Sequence, residues 1–287
     1  EWIGAIEQER VGYTHIRESI DYRIDSDIPI PPEPNVVPVA LECSAKSVNI
    51  YKEGFYLSRY PTASYPLTRI THVRMDIKDQ RTYYITDNET FLLQLIDPVQ
   101  PANRYLLEFL KANLPSTTEF GEMSPDDYIR CLITGYEYAC HRLQTPVIPE
   151  FLRIIASCPK KEFMSKVSLS GIPLTSRDVE ALFYGLKFYP FCDEICFSRT
   201  RLNATALGVL VEEVTVNRNL KSLDLSYNGF NENAAPFLID LLRRESEIEQ
   251  INLSGNDIGV SGMIGILETI ASNPNSLIRE IGISNCH

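Results

Sequence analysis

The sequence has few of the residue combinations that metal centres and catalytic sites require. It contains four widely separated histidines, and its seven cysteines include no C-x-x-C pair, which argues against a zinc site. No G-x-x-x-x-G-K-[ST] or G-x-S-x-G motif occurs, so the chain lacks a P-loop and a nucleophile elbow. We therefore expect no catalysis, no bound metal and no cofactor.

Long apolar runs and an excess of positive charge are also missing. No run of 18 apolar residues occurs, which excludes a conventional membrane-spanning helix. The net charge is −11, from 27 Lys and Arg against 38 Asp and Glu, and it argues against nucleic-acid binding. Cys192 and Cys196 fall on opposite faces of one predicted strand, and we interpret all seven cysteines as reduced thiols of an intracellular protein.

The second half of the chain contains a repeat instead. The stretch LKSLDLSYNGF, at 220–230, has the pattern L-x-x-L-x-L-x-x-N-x-F, and matching patterns lie 28 residues to either side. Five copies occur in total, beginning at positions 164, 192, 220, 248 and 278. This spacing is the leucine-rich-repeat signature. Helical patterns of apolar residues separate the copies, which indicates the long, ribonuclease-inhibitor-like type of repeat.

One position of each copy should hold the turn together. Thr200, Asn228, Asn256 and Cys286 stand where the chain leaves a strand, and short polar side chains there can satisfy backbone groups inside the turn. Ile172 occupies this position in the first copy, which we interpret as degenerate. Because the sequence ends within the fifth copy, we expect the chain to be the front part of a longer protein.

The first half has no repeat and reads as a β domain. Ile16, Ile20 and Ile24, near the start, have helical spacing. Short runs with alternating polarity come next, and one helical pattern at 101–114 follows them. The strand-like runs occupy 39–43, 47–51, 54–60, 70–77, 81–87 and 90–96. Several short strands closed by a helix predict a pleckstrin-homology-like β-barrel.

The predicted protein is therefore multidomain, a β-barrel with a C-terminal helix followed by an α/β solenoid. The barrel domain covers 10–114, and a helical linker that caps the repeats covers 115–161. Within the linker, Ser124 should be the N-cap of a helix over 124–143. The five leucine-rich repeats, the last truncated, cover 162–287.

This layout resembles the CARMIL proteins. The resemblance is carried by the order of the segments and by four of them, GFYLSRYPTASYPLTRITHV, FLKANLP, the tyrosine-rich helix 124–143, and KVSLSGIPLTSRDVEALFYGL. It implies a non-catalytic cytoplasmic scaffold, peripheral at the plasma membrane, that belongs to a regulator of the actin cytoskeleton. CARMIL proteins link capping protein, the actin-nucleating complex and class I myosin, although their capping-protein-binding segments follow the repeats.

The resemblance also implies that the barrel binds acidic lipid. Residues 36–115 carry four Lys and five Arg against eight acids, a net charge of +1 that leaves −12 for the rest of the chain. The candidate phosphate-facing patch consists of Arg69, Arg74, Lys78 and Arg81. It attracts a membrane only if the neighbouring acids lie on another face. The alternative is a set of ordinary strand-face charges, some of them paired with acids.

The repeats offer a second candidate surface. Small polar residues should face outward from the sheet, in two columns that could form a partner-binding face. The candidates are Ser170, Ser198, Ser226 and Ser254, with Asp224 and Asn252 in the adjacent column. Serine could equally be a common solvent-side choice. The alternative function is regulation of a small GTPase, for which Arg199 is a candidate, together with Arg177 and Arg201.

Overall fold

The computed structural model describes ten stretches of the chain. They are 14–17, 37–43, 46–52, 63–78, 82–86, 91–96, 105–159, 162–216, 219–244 and 247–286. The chain divides into two compact units, Glu1–Arg130 and Cys131–His287. The three-part division into 10–114, 115–161 and 162–287 stays a prediction.

The first unit contains an eight-stranded sheet and a helix. The strands are β1 (Thr14–Arg17), β2 (Val37–Cys43), β3 (Ser47–Lys52), β4 (Ala63–Pro66), β5 (His72–Met75), β6 (Thr82–Thr86), β7 (Phe91–Ile96) and β8 (Glu119–Glu122). They are ordered β4-β3-β2-β1-β7-β6-β5-β8. Every neighbouring pair is antiparallel except β5 and β8, which are parallel.

Helix α1 (Tyr105–Asn113) follows the sheet, as the apolar pattern predicts. Its Leu110 is fully buried and belongs to the same apolar cluster as Val48, Val73 and Ile85. Alternating residues of the strands reach this cluster because successive side chains of a strand point to opposite faces. The helix thus contributes to the core of the sheet, the packing expected of the C-terminal helix.

Three strands of the first unit were not expected. The spacing of Ile16, Ile20 and Ile24 predicts a helix, and this prediction is wrong for Thr14–Arg17, because these residues form a strand that pairs with β2 on one side and β7 on the other. Ile20 and Ile24 lie outside the described residues. Strand β4 ends in Pro66. Proline is tolerated there because β4 lies at the edge of the sheet, where not every backbone N–H pairs with a neighbouring strand. Strand β8 lies within the predicted linker, and its pairing with β5 places it in the sheet.

Helix α2 (Pro125–Leu143) begins with the predicted cap. The hydroxyl of Ser124 accepts from the Asp127 amide (3.2 Å), and the Asp127 carboxylate accepts from the Ser124 amide (2.9 Å). This reciprocal pair satisfies donors that the first helical turn leaves open. In the same turn the fully buried Tyr128 accepts a hydrogen bond from the amide of Ile77 (3.0 Å).

The second unit alternates strands with helices. After helix α3 (Pro149–Ser157) come β9 (Lys166–Ser168), α4 (Ser176–Leu186), β10 (Glu194–Cys196), α5 (Ala204–Val216), β11 (Ser222–Asp224), α6 (Ala235–Arg243), β12 (Gln250–Asn252), α7 (Gly259–Ser272) and β13 (Glu280–Gly282). The five strands form one parallel sheet in sequence order. The aligned residues are Val167, Ile195, Leu223, Ile251 and Ile281. The spacings found in the sequence, 28 residues between the first four copies and 30 before the fifth, are therefore the pairing register.

The apolar positions of the repeat form the core of this unit. Leu169, Phe197, Leu225 and Leu253 are each at most 1 % exposed, whereas Ile283 of the last copy is 39 % exposed. Phe197, Leu225 and Leu253 lie between neighbouring copies of the repeat, whereas Leu169 and Ile283 belong to the first and last copies and have such a neighbour on one side within the described residues. Cys192 is buried and Cys196 is half-buried, which agrees with the predicted difference in exposure, although Cys192 lies two residues before strand β10.

The polar position of the repeat acts as predicted. The Asn256 side chain donates to the carbonyls of Leu225 and Leu253 (3.0 and 2.8 Å) and accepts from the amides of Asn228 and Phe230 (2.9 and 3.2 Å). Asn228 repeats the arrangement one copy earlier and accepts from the amide of Thr200 (2.9 Å). These bonds join consecutive turns, since each asparagine serves backbone groups of its own copy and of the preceding one.

The molecule as described is mixed α/β, with a mainly antiparallel sheet in one unit and a parallel sheet with helices in the other. That these are a pleckstrin-homology-like barrel and a leucine-rich-repeat solenoid stays a prediction. No helix within the described stretches has both the length and the apolar character needed to cross a bilayer.

Candidate functional site

The uncovered face of the parallel sheet is the candidate site. The middle residue of each strand from β9 to β12 is buried, so the residues on either side of it lie on the opposite face. Two columns result, each containing one residue from every strand. The first is Lys166, Glu194, Ser222, Gln250 and Glu280, and the second is Ser168, Cys196, Asp224, Asn252 and Gly282.

Parallel pairing continues for three residues beyond the strands. Gly171 N–H donates to Ser198 O (2.8 Å), Arg199 N–H to Ser226 O (3.0 Å) and Tyr227 N–H to Ser254 O (2.9 Å). The residues after the strands therefore keep the register of the strands. Side chains that follow β9, β10, β11 and β12 line one edge of the sheet, at the carboxyl ends of its strands.

The serine column at this edge is only partly available to a partner. Ser198 and Ser226 are 7 % and 3 % exposed, and the Ser226 hydroxyl lies 3.0 Å from that of Ser198 in a hydrogen bond. Ser170 is exposed and Ser254 is half-buried. The prediction that all these serines face outward is wrong for the two central ones, because strand alternation stops where the turn begins.

Asp224 and Asn252 are half-buried, and both shape the turns after their strands. The Asp224 carboxylate accepts from the Ser226 amide (2.9 Å), and the Asn252 amide oxygen accepts from the Ser254 amide (3.1 Å). These are side-chain turns of the kind that Asp and Asn form with the backbone two residues on. Part of the hydrogen-bonding capacity of both residues is therefore already used within the chain.

Arg199 and Tyr227 form an exposed pair at the carboxyl edge. The Arg199 guanidinium carbon lies 4.6 Å from the centre of the Tyr227 ring, a cation–π distance. Tyr227 is 47 % exposed, and its ring lies against Gly255, where an added Cβ would come within 2.3 Å of Cδ1. From the sequence, Arg199 was a candidate only for the regulation of a small GTPase, and Tyr227 was not recognised as a candidate.

A signal for this pair exists in the aligned copies. Gly171, Arg199, Tyr227 and Gly255 occupy the same position of the repeat, and all four have positive φ, from 56° to 81°. Glycine adopts this conformation freely, whereas other residues are disfavoured there. The first and fourth copies fill this position with glycine and the fifth with Asn285, so the larger side chains of Arg199 and Tyr227 could have been recognised from the sequence alone.

The candidate patch of the first unit is less uniform than predicted. Arg74 Nη2 lies 3.2 Å from Glu119 Oε2, and Arg74 Nε lies 3.9 Å from Asp127 Oδ2. The requirement that neighbouring acids lie on another face is thus not met at Arg74. Arg69 and Lys78 are exposed, and Arg81 lies outside the described residues. The described members of the patch therefore differ: Arg74 is paired with carboxylates, whereas Arg69 and Lys78 are exposed residues of the same unit.

Comparisons with known proteins are sparse. No protein-family model matches the chain, and no curated protein matches it. A solved structure described as "PH domain from TgAPH" is similar, with a TM-score of 0.27 and 15 % sequence identity. The match covers 38 % of this chain and 88 % of that one. These comparisons do not assign the chain to a family.

Proposed function

We propose that the chain is a non-catalytic scaffold that binds a protein partner through the uncovered face of its parallel sheet. The supporting observation is the regular register of β9 to β13, which presents two columns of side chains across five copies. Extended sheet faces of this kind are used for protein binding in repeat proteins. The first unit would dock the scaffold on a membrane or on a second protein.

The finer identity follows the resemblance seen in the sequence. We propose a leucine-rich-repeat solenoid preceded by a pleckstrin-homology-like barrel, the front part of a CARMIL-like regulator of the actin cytoskeleton. Its place would be cytoplasmic, peripheral at the plasma membrane. Candidate partners are then the actin-nucleating complex and class I myosin, whereas capping protein would be bound by segments that follow the repeats.

The sheet face can be tested with a blocking substitution. Ser222→Arg with Gln250→Arg places two long side chains in the first column, where both residues reach solvent at least partly. Glu268→Arg, at an exposed residue of helix α7, serves as the control, because it changes the net charge by the same amount as the double substitution. Binding to purified class I myosin and actin-nucleating complex would be measured by biolayer interferometry.

The proposal expects binding that the double substitution abolishes and the control leaves unchanged. Binding to neither protein, or equal binding by both variants, would contradict it. Capping protein serves as the negative control, since the proposal assigns its binding to other segments.

Membrane docking by the first unit has its own test. Co-sedimentation with vesicles of phosphatidylcholine, with and without phosphatidylserine, would be compared at low and physiological salt. Each basic residue near an anionic surface contributes about 1 kcal/mol, so Arg69→Glu with Lys78→Glu should strongly reduce binding. Arg74→Gln should have little effect, since its charge is already paired with carboxylates. Absence of binding at low salt would leave protein docking as the function of this unit.

The alternative, regulation of a small GTPase, is favoured by the exposed position of Arg199 near the first strands. Its test is GTP hydrolysis by a panel of purified GTPases with and without the protein. Acceleration that Arg199→Gly removes would support the alternative over the scaffold.

A further inference from the structure

The carboxyl edge of the parallel sheet carries an unusual charge for this chain. The protein is acidic, at −11 overall, yet Arg177, Arg199 and Arg201 all follow β9 and β10 and are all exposed. Among the described residues, none of the three forms an ion pair. Other basic side chains of this unit do, such as Lys187 with Glu213 and Arg279 with Glu249.

Local structure does not explain why arginine occupies these positions. Arg199 and Arg201 both have positive φ, at 57° and 56°, and the residues aligned with them one copy away include Gly171 and Gly229. Arg177 is the second residue of helix α4, where the helix dipole disfavours a positive charge. Apart from the cation–π contact of Arg199 with Tyr227, neither the backbone conformation nor the helix dipole favours arginine at these positions.

The aromatic residue beside these arginines is held in place. Tyr227 contacts the Arg199 guanidinium and lies close to the backbone of Gly255. These two contacts restrict its ring, which remains 47 % exposed. Tyrosine and arginine are the residues most enriched at the energetic centres of protein interfaces. A preorganised pair loses little side-chain freedom when a partner binds.

We propose that Arg177, Arg199, Arg201 and Tyr227 form a docking edge for an acidic protein segment, one that carries carboxylates and an aromatic residue. Guanidinium groups bind carboxylates bidentately, and the Tyr227 ring offers an aromatic contact next to them. The docking edge deepens the proposed function, on which it rests, because it names the partner chemistry of the same sheet.

The far end of the edge limits what can bind. Exposed acids, Glu232 and Asp257, follow β11 and β12, so the positive part is confined to the first two copies. A long polyanion such as nucleic acid would meet these acids, whereas a short acidic segment that ends beside Tyr227 would not. Charge complementarity thus favours a peptide segment with its acids over β9 and β10.

The test is fluorescence anisotropy with two fluorescein-labelled peptides of about 12 residues. The probe contains Glu, Asp, Gly and Phe, and its partner has Gln and Asn at the acidic positions. We expect saturable binding of the acidic peptide that weakens with salt, and binding of the amide peptide weaker by about tenfold or more. Equal binding of both peptides, or none of the acidic one at low salt, overturns the proposal.

Variants locate the binding. Arg199→Gly and Tyr227→Gly replace each side chain with the residue that aligned copies carry, so the backbone conformation is retained. Each should weaken binding of the acidic peptide by about fivefold or more, the loss expected for the minority of interface residues that contribute most of the binding energy. Arg243→Ala, at an exposed arginine of helix α6, is the control and should leave binding unchanged. Thermal unfolding verifies that each variant is folded.

Two outcomes separate this inference from the proposed function. If the two glycine variants bind the acidic peptide as well as the wild type does, the docking edge is wrong, even if Ser222→Arg with Gln250→Arg still abolishes myosin binding. If the peptide binds as expected while no actin-regulatory protein does, the edge stands and the identity of the scaffold is wrong. Binding of phosphatidylserine vesicles that Arg199→Gly removes, without peptide binding, overturns the peptide assignment.

Discussion

Replacing Asn256 by alanine should remove one of the joints between copies of the repeat. The side chain is 1 % exposed and bonds four backbone groups, the carbonyls of Leu225 and Leu253 and the amides of Asn228 and Phe230. A buried group left without a partner costs about 1–3 kcal/mol. The two carbonyls keep a second donor, the Asn228 side chain at Leu225 and the Cys286 thiol at Leu253. The two amides left without an acceptor make the loss about 2–6 kcal/mol.

Urea unfolding followed by circular dichroism measures this loss directly. Hydrogen exchange adds a local readout, because the amides of Asn228 and Phe230 lose their acceptor. The substitution should increase their exchange rates more than those of the amides in helix α4. Asn275→Ala is the matched control, because Asn275 is exposed in a loop, and such surface changes remain within about 0.5 kcal/mol. A loss below about 1 kcal/mol for Asn256→Ala would refute the assigned role.

A second substitution at this position tests the direction of the hydrogen bonds. Asn256→Asp keeps the oxygen that accepts from the two amides but places a second oxygen against the two carbonyls. Burial and the carbonyls both disfavour the charged carboxylate, so the pKa of the new acid should be raised. The variant should therefore be most stable at low pH and lose stability as pH rises. Stability independent of pH would contradict this geometry.

Three further predictions concern other parts of the second unit. Leu225→Ala, in a fully buried position, should lower stability by about 2–5 kcal/mol in urea unfolding. Tyr136→Phe leaves the Ile148 amide without the phenolic oxygen that accepts from it at 2.8 Å, and thermal unfolding should show a loss of about 1–3 kcal/mol. Burial raises the pKa of Glu213 despite Lys187, so the contribution of this carboxyl to stability should fall as pH rises above about 4.5. Glu213→Gln should flatten that slope in unfolding measured from about pH 4 to 8.

The parallel sheet could be predicted because its pattern is local and repeated. Each copy places apolar residues at the same offsets, so Val167, Ile195 and Leu223 identify one another without knowledge of the rest of the chain. The polar turn position follows for the same reason, since the backbone groups that Asn228 serves lie in its own copy and in the adjacent one.

The sheet of the first unit was less accessible from sequence. Strand β8 consists of Glu, Phe, Gly and Glu, a composition with little intrinsic strand preference. It is a strand because it pairs with β5, 47 residues earlier in the chain. The same non-local pairing brings Glu119 to Arg74, and no local pattern announces that ion pair. Contacts of this kind decide which charges of a surface remain available to a ligand.

The sites in the second unit were misjudged where the strand period no longer applies. Alternation assigns Ser198 and Ser226 to the outer face, but each stands two residues beyond the end of its strand, where the backbone is already turning. The turn requires positive φ at the next residue, and glycine satisfies this requirement at lowest cost. Arg199 and Tyr227 are kept there against that preference. In a repeat, positions that follow the pattern report on the fold, so departures that the fold does not favour are the better guide to what the protein binds.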